Sequence, residues 1–190
     1  MPTDAYTFLK KDPVMAKLIE VNEPIELSPH PDPFARLITS VVNQQLSVAS
    51  ARSIRNRLFE QFEITPIGIL NATEDDLRST GLSAQKVDYM FNIASAFKEG
   101  LSTTKLHSMS DQDVIETLTK IRGVGVWTAK MFLIFVLARN DVFPIEDLGI
   151  RKAMDELYPS LTTQSEMVKH AETWSPYRSY ASRYLWTAID

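Results

Sequence analysis

The chain reads as an all-α protein built around a helix-hairpin-helix corner. Three observations point there. No window of strand length alternates apolar and polar residues with a period of two. Apolar residues instead recur at helical spacing, as in Phe34, Leu37, Ile38 and Val41, which form one buried stripe. Helix-start residues punctuate the chain at Asp32-Pro33, Ser47, Thr73, Ser83, Ser110 and Asp147. About ten helices are expected, with no long repeat.

In chain order, residues 4–20 suggest a first helix, with Tyr6, Leu9, Val14, Leu18 and Ile19 as buried positions and Pro13 as a break or restart. Residues 22–31 hold Pro24, Pro29 and Pro31 and form a loop too short to separate independent domains. Asp32-Pro33 combines an N-cap acid with proline at the first helical position. That helix runs to the polar corner Asn43-Gln44-Gln45-Leu46-Ser47. Ser47 then caps a helix holding Ile54, Leu58 and Phe59, with Arg52, Arg55 and Arg57 on other faces. Taken alone, the corner reads as an ordinary helix–helix loop.

Residues 66–71 are a short helix, and Thr73-Glu74-Asp75-Asp76 is a capping sequence. Gly81-Leu82-Ser83 closes one helix and caps the next, spanning about 84–98 and burying Val87, Met90, Phe91 and Ala94 before Gly100. The corner at 77–86 is a weaker echo of the hairpin and reads as structural. Ser110-x-x-Asp113 caps the helix leading into that hairpin. Beyond it, helices are expected over 126–137, 148–158 and 163–174, and a last aromatic one follows a Ser175-Pro176 cap.

Composition sets bounds. A chain of 190 residues with 44% hydrophobic residues can bury a proper core, as one domain or two small lobes. The helix-hairpin-helix is expected at about 112–137. No apolar run approaches a membrane span, and the N-terminus has no apolar signal core. With no cysteine there is no disulfide, thiolate zinc site or iron–sulfur cluster. The three histidines, His30, His107 and His170, make no metal-ligand spacing and read as surface or loop residues. Net charge is −4, which argues against binding nucleic acid by charge alone. The balance is local, however. Between 120 and 152, Lys120, Arg122, Lys130, Arg139, Arg151 and Lys152 face only Asp141, Glu146 and Asp147, a net +3.

That stretch carries the chemistry. Gly123-Val124-Gly125 is a hairpin requiring glycine-level backbone freedom. The amides opening the next helix lack intrahelical partners and attract anions, phosphate included. Helix, Gly-x-Gly hairpin, helix is thus a plausible clamp for a DNA backbone, and also a plain structural corner. Some twenty residues on, Asp147 stands at a helix start, where simple capping is the ordinary role.

Together, Gly123-Val124-Gly125-Val126-Trp127-Thr128-Ala129 and Asp141-Val142-Phe143-Pro144-x-x-Asp147-Leu148-Gly149-Ile150-Arg151-Lys152 resemble the helix-hairpin-helix/Gly-Pro-Asp DNA glycosylases, most closely the AlkA-type 3-methyladenine DNA glycosylases. The resemblance covers about 33–186 and implies a single all-α, two-lobed glycosylase domain over 1–190, with lobes at about 33–120 and at 1–32 with 121–190. It implies base excision repair by hydrolysis of the N-glycosidic bond of alkylated purines such as 3-methyladenine and 7-methylguanine. Asp147 becomes the catalytic carboxylate, and Trp127 and Trp186 the base-pocket walls. Met131 stands where the family has a pocket tyrosine. Gln44, Gln45, Leu46 and Ser47 form the loop that enters the minor groove, with Gln45 as wedge and Leu46 as second choice. Gly123, Val124, Gly125 and Thr128 contact the DNA backbone. Bifunctional relatives place a Schiff-base lysine two residues after the second hairpin glycine. That position is Trp127, and Lys130 lies about 300° round the helix from it, so no lyase activity is expected.

The resemblance adds no cofactor or catalytic metal beyond a monovalent cation on the carbonyls of 121–125. It implies a monomer acting on damaged double-stranded DNA, without a membrane, in the nucleoid-bearing cytoplasm of a bacterium or the nucleus of a eukaryote. Two other readings are a same-fold glycosylase for deaminated or oxidised bases, and a non-catalytic helix-hairpin-helix DNA-binding module.

Overall fold

A computed structural model describes residues 3–189. Among them are thirteen α-helices, one 3-10 turn and no strand. The chain divides into two compact units: His30–Phe132, and the residues up to Pro29 together with those from Leu133 onward.

The second of these opens the chain with α1 (Thr3–Leu9) and α2 (Pro13–Val21). The break or restart expected at Pro13 is a full division into two helices. The restart is sharp because Asp12 caps α2, accepting the amides of Val14 and Met15 at 2.8 and 3.2 Å, with Pro13 at the first helical position. Leu9 is buried, whereas Tyr6, Val14, Leu18 and Ile19 are half-buried against the core.

The His30–Phe132 unit runs α3 (Pro33–Asn43), α4 (Val48–Gln61), α5 (Pro66–Asn71), α6 (Glu74–Ser79), α7 (Ala84–Lys98), α8 (Thr103–Ser108) and α9 (Asp111–Thr119). Helix α8 is absent from the sequence reading. Side-chain caps at Asp32, Ser47, Thr73, Ser83 and Ser110 all form as the sequence predicts. Helix α7 is the spine, packing against α3, α5 and α6. It buries Val87, Met90, Ile93 and Ala94; Phe91, expected inside, is only half-buried. On α4 likewise Ile54 and Leu58 are buried while Phe59 is 42% exposed. Helical spacing leaves both rings at the edge of the buried arc.

Helix α10 (Val126–Phe135) crosses the division between units. It stops two residues short of the expected end. There Ala138 takes a left-handed φ of 53°, and the Arg139 amide turns back to the Leu133 carbonyl at 2.9 Å.

The remainder adds α11 (Leu148–Leu157), α12 (Gln164–Ala171), the 3-10 turn Glu172–Trp174 and α13 (Arg178–Thr187). Helix α13 packs against α11 and α2. Trp174 and Tyr184 are buried in this core. Asp12 also receives Tyr158 Oη at 2.9 Å and Trp174 Nε1 at 3.0 Å, and lies 3.3 Å from His170 Nε2. His170 is therefore no loose surface residue: it sits in α12, packed beside Tyr158 and Trp174. Ser175 does not cap α13. Its hydroxyl donates to Asp141 Oδ2 at 2.8 Å, and that carboxylate is gripped by Arg178 at 2.7 and 2.9 Å. A half-buried carboxylate already in place outcompetes the local cap. The N-cap position falls to Tyr177, with no side-chain bond.

Candidate active site

In the His30–Phe132 unit, the hairpin follows α9. The Val124 amide donates to the Ile121 carbonyl at 3.0 Å, and buried Val124 pins the turn to the core. The two glycines serve different needs. Gly123 has φ +100°, and a Cβ there would run into the Tyr89 ring. Gly125 has no left-handed φ, and a Cβ there would meet nothing within 4 Å. The expectation of obligatory backbone freedom holds for Gly123 alone. Nothing in the unit's packing requires glycine at 125, so the bare backbone there is left open to an approaching ligand.

After the hairpin, Val126 and Trp127 are 43% and 38% exposed. Met131 is half-buried. Thr128, read from the sequence as a DNA contact, has its side chain buried, at 3% exposure; it packs inward because it lies on the core face of α10. Val124 is buried too, so any contact it makes runs through its backbone.

The corner after α3 is tied to this hairpin. Gln44 Nε2 donates to the Gly123 carbonyl at 3.1 Å. Gln44, read as a DNA contact, thus spends its amide inside the protein. Gln45 is exposed at φ 53°, and its side chain makes no hydrogen bond among the described residues. Leu46 is 38% exposed. Ser47 caps α4 through the Ser50 amide at 3.2 Å. Lys86, missed by sequence reasoning, donates to the Val42 and Gln44 carbonyls, each at 2.7 Å.

The other unit holds the carboxylate. Asp147 is the N-cap of α11, half-buried, and its Oδ1 accepts from Ile150 N at 2.9 Å. The same oxygen accepts from Trp186 Nε1 at 2.9 Å. One helix-start amide and one indole N–H thus meet on a single carboxylate oxygen and fix its orientation. Arg151 reaches back to the Ile145 and Glu146 carbonyls at 3.0 and 2.7 Å, fastening the approach to the cap. Gly149 has no φ demand; its lack of a side chain is what matters. A Cβ there would lie 2.8 Å from Ile189 Cδ1, 3.0 Å from Asp147 Oδ1 and 3.2 Å from Trp186 Cδ1. Trp186 stacks on Phe135 with centroids 5.6 Å apart, and the Arg183 guanidinium lies 5.3 Å from the Phe135 centroid. Trp186, Phe135 and Arg183 line a cavity of about 650 Å³ together with Pro24 and Ile25. Phe135, Arg183 and Gly149 carry no sequence signal of this role; only the Leu148-Gly149-Ile150-Arg151-Lys152 run hints at the last.

Among the described residues no three or more His, Cys, Asp or Glu side chains gather as a metal site. No helix is long and apolar enough to cross a membrane.

A helical scaffold carrying a Gly-x-Gly hairpin and an aspartate-capped helix defines a class, and the family comparison names it. The model for the HhH-GPD superfamily of base excision DNA repair proteins matches residues 38–178, and the chain belongs to that superfamily. It is 37% identical over 181 residues to the DNA-3-methyladenine glycosylase 1 of Schizosaccharomyces pombe, covering 90% of this chain and 79% of that protein. Its fold is similar to the crystal structure of a DNA-3-methyladenine glycosidase from Bacillus halodurans, with TM-score 0.87, 32% identity and coverage of 98% and 88% of the two chains. It is also similar to the S. pombe 3-methyladenine DNA glycosylase in complex with abasic DNA, with TM-score 0.85, 33% identity and coverage of 97% and 95%.

Proposed function

We propose that this protein is a DNA glycosylase of base excision repair that hydrolyses the N-glycosidic bond of alkylated purines, 3-methyladenine and 7-methylguanine, in double-stranded DNA. The observation that carries the reading is Asp147, held as a helix cap by Ile150 N and Trp186 Nε1. Its similarity to named 3-methyladenine glycosylases, one of them bound to abasic DNA, supports the substrate class.

A base in a stacked duplex must be turned out before its C1′–N bond is reached, and the hole it leaves must be filled. Gln45, exposed and with no side-chain hydrogen bond among the described residues, suits that filling, with Leu46 beside it. As the C1′–N bond breaks, its electron pair passes to the base nitrogen and neutralises a base that was cationic through alkylation. The sugar gains oxocarbenium character, and the Asp147 carboxylate stabilises that charge. Water then adds at C1′ and loses its proton to Asp147 or to solvent. A cationic leaving base needs little acid catalysis. An aromatic face favours such a base over a neutral one by about 1–2 kcal/mol per good contact; Trp127 and Trp186 are the candidate side chains, with Met131 in place of a tyrosine.

The position two residues past Gly125 is Trp127, so no amine stands where a Schiff base would form, and the product is an intact strand with an abasic site. The hairpin carbonyls of Ile121, Gly123 and Gly125 each accept one N–H from the protein. Each keeps a second lone pair, a donor set that fits a monovalent cation shared with a DNA phosphate. The protein acts as a monomer. Free bases released from methylated duplex, separated by chromatography, test the substrate. Strand cleavage without alkali, which should be absent, tests the monofunctional reading.

A further inference from the structure

We propose that Lys86 is a positioning residue for the DNA-entering corner, holding residues 44–47 in the shape that lets Gln45 fill the space left by an extruded nucleotide. The inference rests on the glycosylase reading above and adds to it a residue outside the hairpin, the corner and the acid.

The last carbonyls of a helix lack intrahelical partners, and a glycine in left-handed conformation usually closes such an end. Helix α3 ends at Asn43 with no glycine after it. Instead the Lys86 ammonium reaches across from the first turn of α7 and takes the carbonyls of Val42 and Gln44, each at 2.7 Å. A cation is favoured at a helix C-terminus, and two charge-assisted bonds fix both sides of the exit. Burial pulls the Lys86 ammonium below its ordinary pKa, as for a cation drawn in from solvent.

The next residue then turns left-handed: Gln45 sits at φ 53°, a conformation that a non-glycine side chain adopts only when its surroundings hold it. Gln44 is clamped twice, its carbonyl by Lys86 and its side-chain amide on the Gly123 carbonyl. One turn beyond Lys86 on the same helix, Tyr89 forms the wall against Gly123. A single helix, α7, thereby sets the corner through Lys86 and the hairpin through Tyr89. Capping alone would make Lys86 a stability residue; the clamp on Gln44 makes it a determinant of where Gln45 projects.

The test uses the full chain with Lys86→Met, Lys86→Arg and Gln45→Ala, on a duplex with a tetrahydrofuran abasic analogue next to 2-aminopurine, whose fluorescence rises on unstacking. Lys86→Met should lose most of that rise. It should also lower single-turnover release of 7-methylguanine at saturating enzyme about tenfold, close to the loss in Gln45→Ala, while undamaged-duplex affinity stays within about twofold. Lys86→Arg should recover at least half of both signals, and Lys86→Met with Gln45→Ala should be no worse than either alone. A wild-type fluorescence rise in folded Lys86→Met overturns the proposal, as does a loss matched by undamaged-duplex affinity. If Lys86→Met does not fold, Lys86→Gln, able to reach one carbonyl, carries the same expectation at reduced size and the same overturning results. The fluorescence arm needs no chemistry, so a wild-type protein that unstacks the duplex but releases no base refutes the glycosylase reading and still decides the role of Lys86.

Discussion

The indole N–H of Trp186 and the amide of Ile150 meet on one oxygen of Asp147, each at 2.9 Å. Trp186 therefore has two functions in one side chain: its face stacks on Phe135 and its edge orients the carboxylate. Trp186→Phe keeps the ring and removes the donor. Losing one charge-assisted bond at the acid should lower the single-turnover rate about tenfold, roughly 1.4 kcal/mol in the barrier, with Kd for an abasic duplex little changed. An equal loss in rate and in affinity would instead make Trp186 a binding wall only.

Gly149 guards the same geometry. Gly149→Ala puts a Cβ 2.8 Å from Ile189 Cδ1, 3.0 Å from Asp147 Oδ1 and 3.2 Å from Trp186 Cδ1, so the Ile189 side chain swings away and the acid and indole are pushed by a few tenths of an ångström. The expected result is a fall in turnover of more than tenfold in a protein whose thermal unfolding shifts only slightly. Unchanged turnover would show that the carboxylate tolerates displacement.

The hairpin glycines should separate folding from binding. Gly123→Ala meets both a left-handed φ and the Tyr89 ring, and should cost about 1–3 kcal/mol of stability in denaturant unfolding. Gly125→Ala meets nothing in the protein, so stability should hold while duplex affinity falls. Equal affinity in Gly125→Ala would mean that no backbone approaches that position.

Asp12 gives a pH dependence. Burial pushes its pKa up, but hydrogen bonds from Trp174, Tyr158 and the amides of Met15 and Val14 outweigh this and hold it below the ordinary value. A depressed carboxylate contributes stability above its unfolded pKa of about 3.9, and that contribution disappears as pH falls through the lower folded value. Asp12→Asn should therefore be less stable than wild type by roughly 1–3 kcal/mol at neutral pH, with the gap narrowing below about pH 4. Urea unfolding of both proteins across that range measures it.

Local chemistry was legible in the sequence where it stayed local. Asp32, Ser47, Ser83, Ser110 and Asp147 cap the helices that follow them because each needs only an amide two or three residues away. The Gly-x-Gly hairpin and the aspartate beyond it were readable as a motif for the same reason. What escaped was set by distant partners. Asp12 is separated by 146, 158 and 162 residues from the side chains that surround it. Lys86 meets carbonyls more than forty residues earlier, and Ser175 was drawn from its cap by Asp141. The bond from the Gln44 amide to the Gly123 carbonyl, 79 residues away, has no local signal either.

The central claim is that the carboxylate of Asp147 stabilises the sugar as the base departs. Asp147→Asn keeps the side chain's shape and an oxygen able to accept from Ile150 and Trp186, and removes the charge. Measured as single-turnover release of 7-methylguanine from methylated duplex with enzyme in excess, the variant should be at least a hundredfold slower than wild type while binding an abasic duplex with similar Kd. Release at the wild-type rate by Asp147→Asn would contradict the account.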